Sequence, residues 1–326
     1  MNKLLVICGP TATGKTHLAL YLAKKFNGEL ISADSRQVYK YMNVITGKDI
    51  PDKAVWLSSA IQFNGSNVGY WETDNIRIWG YDLVDPSYNF NVSSFMEVTE
   101  KIIENIISRN KLPILVGGTG FYISGVVDGI QTARVPVNNE LRDQLTDTSA
   151  ADLYRMLLLI NPRKAMSLNS SDQKNPRRLI RAIEVTKHLG ELENRKPQPK
   201  YDAFWIGLTM SDRQNLNNRI DQRVMMRISP ELDAEMALLA QEGYINQAPA
   251  RTIGYKEWLL ALNNTVTRQV AATMWKRAEH VYAKRQMTWF RKQKHIAWYD
   301  IEDKKYYHKV EENVKKWHNQ EYTCEN

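Results

Sequence analysis

The feature that most constrains the fold is the run GPTATGKT at positions 9–16, which directly follows the apolar residues 4–8. It fits the G-x-x-x-x-G-K-[ST] pattern of a phosphate-binding loop, whose backbone N–H groups converge on an anion at a helix N-terminus. The motif leaves open whether the phosphate belongs to a nucleotide or to another diphosphate. The pattern predicts that Lys15 reaches a terminal phosphate and that the Thr16 hydroxyl reaches Mg²⁺. The expected phosphate-binding residues are Gly9, Pro10, Thr11, Ala12, Thr13, Gly14, Lys15 and Thr16.

Strand and helix patterns alternate through the first part of the chain. A helix pattern at 17–26 precedes a short strand at 29–33, and Ser94-x-x-Glu97 predicts a capping box that opens another helix. The apolar run 113–116 then predicts a buried strand. We expect an α/β fold of the P-loop NTPase-like type, in which helices flank a parallel sheet and ligands bind at the carboxyl ends of the strands.

Later segments depart from this alternation. Residues 55–80 alternate apolar and polar positions around a polar turn, which predicts a hairpin insertion, and 140–188 carries a helical pattern. The basic, proline-containing segment 195–200 indicates a linker before a strand at 203–208. Helices are expected from there to the end, including a long one over about 265–292.

These patterns divide the chain into a core and an insertion, and the two halves of the sequence differ in charge. The core is predicted to comprise 1–132 and about 200–326, and the insertion is a helical region over about 133–199. Residues 1–132 carry 12 basic and 12 acidic side chains, so the whole net charge of +8 lies after residue 132. This distribution favours a polyanionic partner, most simply nucleic acid, although a merely soluble basic surface is the alternative.

Cysteine content and hydropathy indicate the compartment. The two cysteines, Cys8 and Cys324, are too few for a disulfide framework or a cysteine-rich zinc site. No run approaches the roughly 18 uncharged apolar residues of a membrane span, and the apolar start at 4–8 is too short for a signal peptide. We therefore expect a cytoplasmic protein with no membrane contact.

Two short segments that follow predicted strands carry groups suited to chemistry. Asp34 ends the strand at 29–33, where its carboxylate could bind Mg²⁺, accept a proton or cap the next segment. The strand at 113–116 ends in Gly-Gly-Thr-Gly rather than in the acid that many nucleotide hydrolases place there, which disfavours ATP hydrolysis. The Thr119 hydroxyl could bind a phosphate oxygen or a base, or the segment could be only a turn.

Basic side chains cluster in the second half of the chain. Arg219, Arg223 and Arg227 recur at a spacing of four and share one helix face, which is either a phosphate-binding face or a solvated one. The residues from Arg177 to Arg181 form a nucleic-acid-facing edge, or their arginines pair with acids such as Asp172 and Glu184.

The long terminal helix mixes basic and aromatic residues between 275 and 292, a composition suited to nucleic-acid contact. The alternative is a core helix that packs Met274, Ala278, Val281 and Trp289 inward.

Taken in order, these segments resemble the tRNA dimethylallyltransferases, also called isopentenyl-tRNA transferases, of the bacterial type. The resemblance spans nearly the whole chain. The matching stretches are GPTATGKT at 9–16, ISADSRQVY at 31–39, GGTGFY at 117–122, NPRRLIRAIEV at 175–185, RIDQRV at 219–224, TIGYKE at 252–257 and YAKRQMTWFRKQ at 282–293.

The resemblance implies transfer of a dimethylallyl group from dimethylallyl diphosphate to N6 of adenosine 37, in tRNAs that read codons starting with U. The phosphate loop would then hold the prenyl donor's diphosphate, with Mg²⁺ on Thr16. Asp34 would act as the base, because an exocyclic adenine amine is a poor nucleophile. The departing diphosphate would be neutralised by Lys15, Thr119, Arg219 and Arg223.

The resemblance also implies a tRNA anticodon stem-loop as partner and a monomeric enzyme. Adenosine 37 would leave the base stack to reach the donor. The implied tRNA-binding residues are Asp34, Ser35, Arg36, Gln37, Thr119, Arg142, Arg177, Arg178, Leu179, Ile180 and Arg181.

The sequence departs from the family at one segment. After the predicted hairpin at 55–80, Tyr81-Asp82-Leu83-Val84 stands where the family usually has His-Leu-Ile-Asp, and its role is open. The zinc finger of the eukaryotic enzymes is absent from the sequence. Three other functions are considered: an adenylate isopentenyltransferase that uses a free adenine nucleotide, a phosphate-loop kinase of a small metabolite, and a non-catalytic RNA-binding module.

Overall fold

The computed structural model describes residues 1–190 and 200–320 of the chain. The linker predicted at 195–200 therefore lies outside the described residues except for Lys200. The strands are β1 (Asn2–Cys8), β2 (Gly28–Ser32), β3 (Val55–Phe63), β4 (Ser66–Thr73), β5 (Ile76–Trp79), β6 (Leu112–Gly117), β7 (Tyr201–Thr209) and β8 (Ala297–Asp300).

Helices account for most of the remaining described residues. They are α1 (Lys15–Phe26), α2 (Val92–Ser108), α3 (Gly120–Val127), α4 (Asn139–Leu145), α5 (Ala150–Ile160), α6 (Pro162–Ser167), α7 (Ser170–Gln173), α8 (Pro176–Leu189), α9 (Arg213–Arg227), α10 (Pro230–Gln241), α11 (Tyr255–Leu262), α12 (Arg268–Phe290) and α13 (Tyr306–His318). None of these helices combines the length and the apolarity needed to cross a membrane.

A single mixed sheet of eight strands runs in the order β3-β4-β5-β2-β6-β1-β7-β8. Along this order, the pairs from β5-β2 to β7-β8 are parallel, whereas the pairs β3-β4 and β4-β5 are antiparallel. The predicted fold class, a parallel sheet flanked by helices, is confirmed for the centre of the sheet. Residues 55–80 extend one edge as three strands, with turns at Asn64-Gly65 and Asp74-Asn75.

The register of the central strands determines where the loops emerge. Ile7 of β1 pairs with Val116 of β6 on one side and with Ile206 of β7 on the other. Val116 in turn pairs with Ser32 of β2. The phosphate loop, the segment after β2 and the glycine-rich segment after β6 therefore leave the sheet side by side at the carboxyl ends of their strands.

The chain divides into two compact units, Met1–Val127 with Pro199–Asn326, and Asp128–Gln198. In the first unit α1 packs on the sheet through Leu18 and Leu22, which are completely buried. In the second, helices α4 to α8 enclose a separate core that contains Leu153, Leu157 and Ile183.

One local prediction and one of the alternatives were wrong, and one strand was missed. Asn91, not Ser94, caps α2, because its side chain accepts from the N–H groups of Ser93 and Ser94. Met274 and Val281 do not pack inward: both are exposed, and the buried face of α12 includes Trp275, Gln286 and Phe290 instead. The four-residue strand β8 was missed, since so short a run between helices has no periodicity to detect.

Candidate active site

The phosphate loop has the backbone geometry that its glycines predict. Gly9 has a φ of 138°, and a Cβ there would lie 2.4 Å from the carbonyl oxygen of Leu208 on the adjacent strand. Gly14 has a φ of 79° and immediately precedes α1. Thr13 is buried, and its hydroxyl donates to the carbonyl of Pro10 over 2.9 Å. The loop therefore favours glycine at two positions, at Gly9 because of the close approach of Leu208 and at Gly14 because of its positive φ.

Lys15 lies at the start of α1 with its ammonium group turned back over the loop. Its Nζ donates to the carbonyl oxygen of Pro10 over 2.7 Å. Burial, together with the nearby positive charge of Arg223, lowers the pKa of Lys15 to about 8. A cation that is costly to keep charged is poised to bind an anion, since an anion would restore its usual pKa.

The arginine face of α9 is turned toward the phosphate loop. Arg219 Nε donates to the carbonyl of Ala12 over 2.9 Å, and Arg223 Nη1 donates to the Thr11 hydroxyl over 3.2 Å. Arg227 is buried one turn further on and donates to the carbonyl of Ile45 over 3.0 Å; burial lowers its pKa to about 10. The stripe therefore contacts the phosphate loop and Ile45 although Arg219 itself is exposed, and phosphate binding by this face stays a prediction.

Asp34 and Thr119 follow the neighbouring strands β2 and β6, and Thr119 is hydrogen-bonded to the residues on either side of Asp34. The Asp34 carboxylate accepts from the N–H of Arg36 over 2.8 Å, which is the local capping arrangement considered from the sequence. Thr119 donates its N–H to the carbonyl of Ala33 over 3.2 Å, and its hydroxyl accepts from the N–H of Ser35 over 3.1 Å. The carboxylate and the hydroxyl therefore belong to one rigid cluster at the end of β2 and β6.

Gln286, on α12, connects the phosphate loop to that cluster, and sequence reasoning did not single it out. Its Nε2 donates to the carbonyl of Gly118 over 3.0 Å, and its Oε1 accepts from the N–H of Thr11 over 2.9 Å. A Cβ on Gly118 would lie 2.1 Å from the Gln286 side chain. On the same helix, Tyr282 forms a hydrogen bond with Thr119, and burial raises the pKa of Tyr282 above its usual range.

These elements surround one cavity of about 840 Å³. The predicted residues that line it are Thr11, Ala12, Gly14, Lys15, Thr16, Asp34, Ser35, Arg36, Gln37, Arg219 and Arg223. Thr119 is not one of the lining residues, but its hydroxyl contacts the lining residue Ser35. A cavity of this size is large enough for a drug-sized ligand, and its wall carries four predicted cations and one predicted carboxylate.

The segment that departs from the family also reaches this region. Tyr81 lines the cavity and is buried, and burial raises the pKa of its hydroxyl. Asp82 forms an ion pair with the buried Lys48, whose Nζ lies 2.6 Å from Asp82 Oδ1. The segment thus supplies a cavity wall and a partner for a buried cation.

Three of the predicted arginines of the helical unit, Arg142, Arg178 and Arg181, have acidic partners within that unit. The buried carboxylate of Glu184 accepts from Arg142 Nη2 over 3.0 Å and also pairs with Arg181. Arg178 pairs with Asp172, and the Leu179 side chain is completely buried. The pairing of these arginines with Asp172 and Glu184, which was one of the two interpretations, is therefore present; the predicted tRNA contacts of Arg142 and Arg177 to Arg181 stay a prediction.

A magnesium site at the phosphate loop needs few protein ligands. Within residues 1–190 and 200–320, no three His, Cys, Asp or Glu side chains converge to form a metal centre. Mg²⁺ at a phosphate site keeps several waters and takes one or two protein oxygens plus phosphate oxygens. The Thr16 hydroxyl, at the first turn of α1 and on the cavity wall, fits that requirement.

Comparison with known proteins agrees with this geometry. A family model described as IPP transferase matches residues 37–293. The chain belongs to the IPP transferase family. A second model, described as isopentenyl transferase, matches residues 2–58, the segment that contains the phosphate loop.

Members of the IPP transferase family resemble the chain over almost their full length. A tRNA dimethylallyltransferase of Carboxydothermus hydrogenoformans is 35% identical, with 92% of each chain covered. One from Anoxybacillus flavithermus is 36% identical, with 93% of this chain and 91% of the relative covered.

Solved structures of the family share the fold. The tRNA isopentenylpyrophosphate transferase of Bacillus halodurans is 32% identical and superposes with a TM-score of 0.68, with 97% of each chain covered. A eukaryotic dimethylallyltransferase acting on tRNA is 27% identical and has a TM-score of 0.76, with 93% of this chain and 75% of that chain covered.

Proposed function

We propose that the protein is a tRNA dimethylallyltransferase, which transfers the dimethylallyl group of dimethylallyl diphosphate to N6 of adenosine 37 and releases diphosphate. The observation that carries the proposal is the shared cavity, where Asp34 faces the same space as the phosphate loop and the arginines of α9. The names of relatives that are 35–36% identical support the same activity.

The donor's diphosphate would lie in the phosphate loop. Lys15, Arg219 and Arg223 surround that loop and would neutralise charge that grows on the leaving oxygen as the C1–O bond breaks. Mg²⁺, held by Thr16 and phosphate oxygens, would supply further neutralisation. No nucleotide hydrolysis is needed, which suits a β6 strand that ends in Val116-Gly117 rather than in an acid.

Asp34 would take the proton from the adenine amine as N6 bonds to carbon 1 of the donor. The lone pair of that amine is delocalised into the ring, so proton removal helps the nitrogen to attack. The two backbone donors beyond Asp34 hold its carboxylate in place. Positioning of this kind lowers the barrier because no reorganisation is needed at the moment of reaction.

The acceptor is proposed to be the anticodon stem-loop of tRNAs that read codons starting with U. Adenosine 37 would leave the stack at a cost of a few kcal/mol, offset by contacts to Ser35, Arg36 and Gln37 on the cavity wall. The helical unit would add contacts through Arg142 and the residues from Arg177 to Arg181. We further propose that the enzyme acts as a monomer in the cytoplasm.

The direct test offers labelled dimethylallyl diphosphate and Mg²⁺ with two acceptors in separate reactions. One is an anticodon stem-loop with A36-A37-A38, and the other is AMP. We expect label on the central adenosine of the stem-loop and none on AMP. Transfer to AMP alone would assign the protein to the adenylate isopentenyltransferases instead, and ATP consumption without donor turnover would indicate a kinase.

A further inference from the structure

Asp49 is a carboxylate at the mouth of the phosphate loop that no sequence motif identified. It lies between β2 and β3 and lines the cavity. The Thr16 hydroxyl donates to Asp49 Oδ2 over 3.3 Å. Arg223 Nη2 donates to Oδ1 over 2.9 Å and to Oδ2 over 3.2 Å. One carboxylate therefore contacts both the residue expected to hold Mg²⁺ and a residue expected to hold diphosphate.

The contact with Arg223 does not by itself account for a carboxylate at this place. The Asp49 side chain is 52% exposed, and exposed ion pairs contribute little to stability. Diphosphate bound by Arg223 would bring a polyanion beside Asp49, and like charges at that distance repel. A carboxylate here weakens donor binding unless a cation lies between the two.

The contact with Thr16 indicates where that cation would be. Mg²⁺ takes oxygen ligands and is usually bound by one or two protein groups together with substrate phosphates. In phosphate-loop proteins the hydroxyl of the motif's last residue is one such group. The strand that often supplies the acid, β6, ends in glycine here, so Asp49 contributes a carboxylate to the same hydroxyl from a different element.

We propose that Asp49 is the second protein ligand of the divalent cation that Thr16 binds, directly or through one water, and that it makes diphosphate binding depend on that cation. The proposal rests on the proposed function, because it takes the phosphate-loop ligand to be a diphosphate. Asp49 and Arg223 part when the donor binds: Arg223 goes to the diphosphate and Asp49 goes to the cation.

This arrangement predicts two effects of opposite sign for Asp49→Asn. Without Mg²⁺, the variant should bind inorganic pyrophosphate more tightly than the wild type does, because a repelling charge and a competitor for Arg223 are removed. With Mg²⁺, it should bind pyrophosphate more weakly, since the loss of a metal-orienting group typically costs about 10–100-fold in metal affinity. If Asp49 only held its loop in place, the substitution would not strengthen pyrophosphate binding without Mg²⁺ and also weaken it with Mg²⁺.

The experiment is calorimetric titration of the full chain with inorganic pyrophosphate, in EDTA and in saturating Mg²⁺, with Mn²⁺ binding followed by electron paramagnetic resonance. Asp52→Asn is the matched control, because Asp52 is exposed on the same loop and does not line the cavity. Asp49→Glu, which keeps the carboxylate, should recover part of the Mg²⁺ enhancement. Melting curves establish that each variant is folded.

We expect the ratio of affinities with and without Mg²⁺ to fall by at least about tenfold in Asp49→Asn and to stay unchanged in Asp52→Asn. An unchanged ratio in Asp49→Asn, or an equal loss of pyrophosphate binding in EDTA and in Mg²⁺, would overturn the role of Asp49. Neither result would contradict the proposed prenyl transfer. If the wild type binds no pyrophosphate under either condition, the proposed cargo of the phosphate loop fails as well.

Discussion

Two groups of arginines look equally basic in the sequence but have different partners in the structure. Arg219 and Arg223 of α9 donate to the backbone and a hydroxyl of the phosphate loop and line a cavity. Arg142 and Arg181 of the helical unit pair with the buried carboxylate of Glu184. The difference teaches that sequence spacing alone does not show what an arginine binds, because Arg219 and Arg223 face a cavity whereas Arg142 and Arg181 share a buried carboxylate.

The comparison is tested most strongly by matched substitutions in the two groups. Arg223→Gln should lower the rate of prenyl transfer by about 10²–10³-fold, because a preorganised charge contact to the leaving group is lost. Arg142→Gln should change the free energy of unfolding far more than the rate at saturating stem-loop. The measurements are single-turnover transfer and urea unfolding of both variants.

Equal losses of rate in the two variants would break the comparison. In that case Arg142 would act on the substrate as directly as Arg223, and its pairing with Glu184 would be secondary. A stem-loop binding measurement separates these outcomes. If Arg142 contacts tRNA directly, Arg142→Gln should bind the stem-loop more weakly and with a smaller salt dependence.

The next effect concerns Gln286 of α12, which holds the phosphate loop and the segment after β6 together. Gln286→Leu removes the two hydrogen bonds that connect the phosphate loop to Gly118. Misplacement of reacting groups by about 1 Å can cost up to about 10²-fold in rate, so we expect kcat to fall with a smaller change in KM. Lys284→Ala is the control, because Lys284 is exposed on the same helix. A wild-type kcat for Gln286→Leu would show that the bridge does not position the loops.

These residues also show how far the sequence could predict the site. The phosphate loop, Asp34 and Thr119 were predictable because each follows a strand whose apolar run is visible, and parallel strands bring their carboxyl ends together. Gln286 and Asp49 were not, since a lone amide in a helix or acid in a loop carries no local pattern. Their roles depend on contacts across 275 and 33 residues of sequence.

The same limit applies to the fold. The central strands and α1 were predicted from periodicity, whereas the outward exposure of Met274 and Val281 was not. The buried face of α12 includes the polar Gln286, whose amide donates a hydrogen bond to the carbonyl of Gly118. A search for apolar periodicity does not recognise a buried face that contains such a polar residue.

A third prediction follows from the pKa of Lys15. Because this pKa is lowered to about 8, Lys15 is charged below that pH and becomes neutral as the pH rises through it. Donor binding then requires uptake of a proton, so the affinity for dimethylallyl diphosphate should fall by up to about tenfold per pH unit above pH 8. Titrations between neutral and alkaline pH check this. In Lys15→Met the affinity should be low and should lack this dependence; the same slope in that variant would assign the effect to another group.

The smallest effect on catalysis is expected at Glu184. Burial alone would raise the pKa of Glu184, but donors from Arg142, Asn138 and Arg181 outweigh it and hold the pKa below 4.5. A depressed pKa contributes stability that is fully present above the unfolded value and is lost as the pH falls through the folded value. The wild type should therefore exceed Glu184→Gln in melting temperature near neutral pH, and this difference should shrink in acid. A difference that does not change with pH would contradict the ion-pair account.

The most direct test of the whole account compares wild type and Asp34→Asn in one single-turnover experiment, with labelled donor, anticodon stem-loop and Mg²⁺. Donor affinity is measured in parallel. If Asp34 is the base in the cavity that holds the diphosphate, transfer should slow by about 10²–10⁴-fold while donor affinity stays near that of the wild type. Transfer at the wild-type rate by Asp34→Asn would contradict the account.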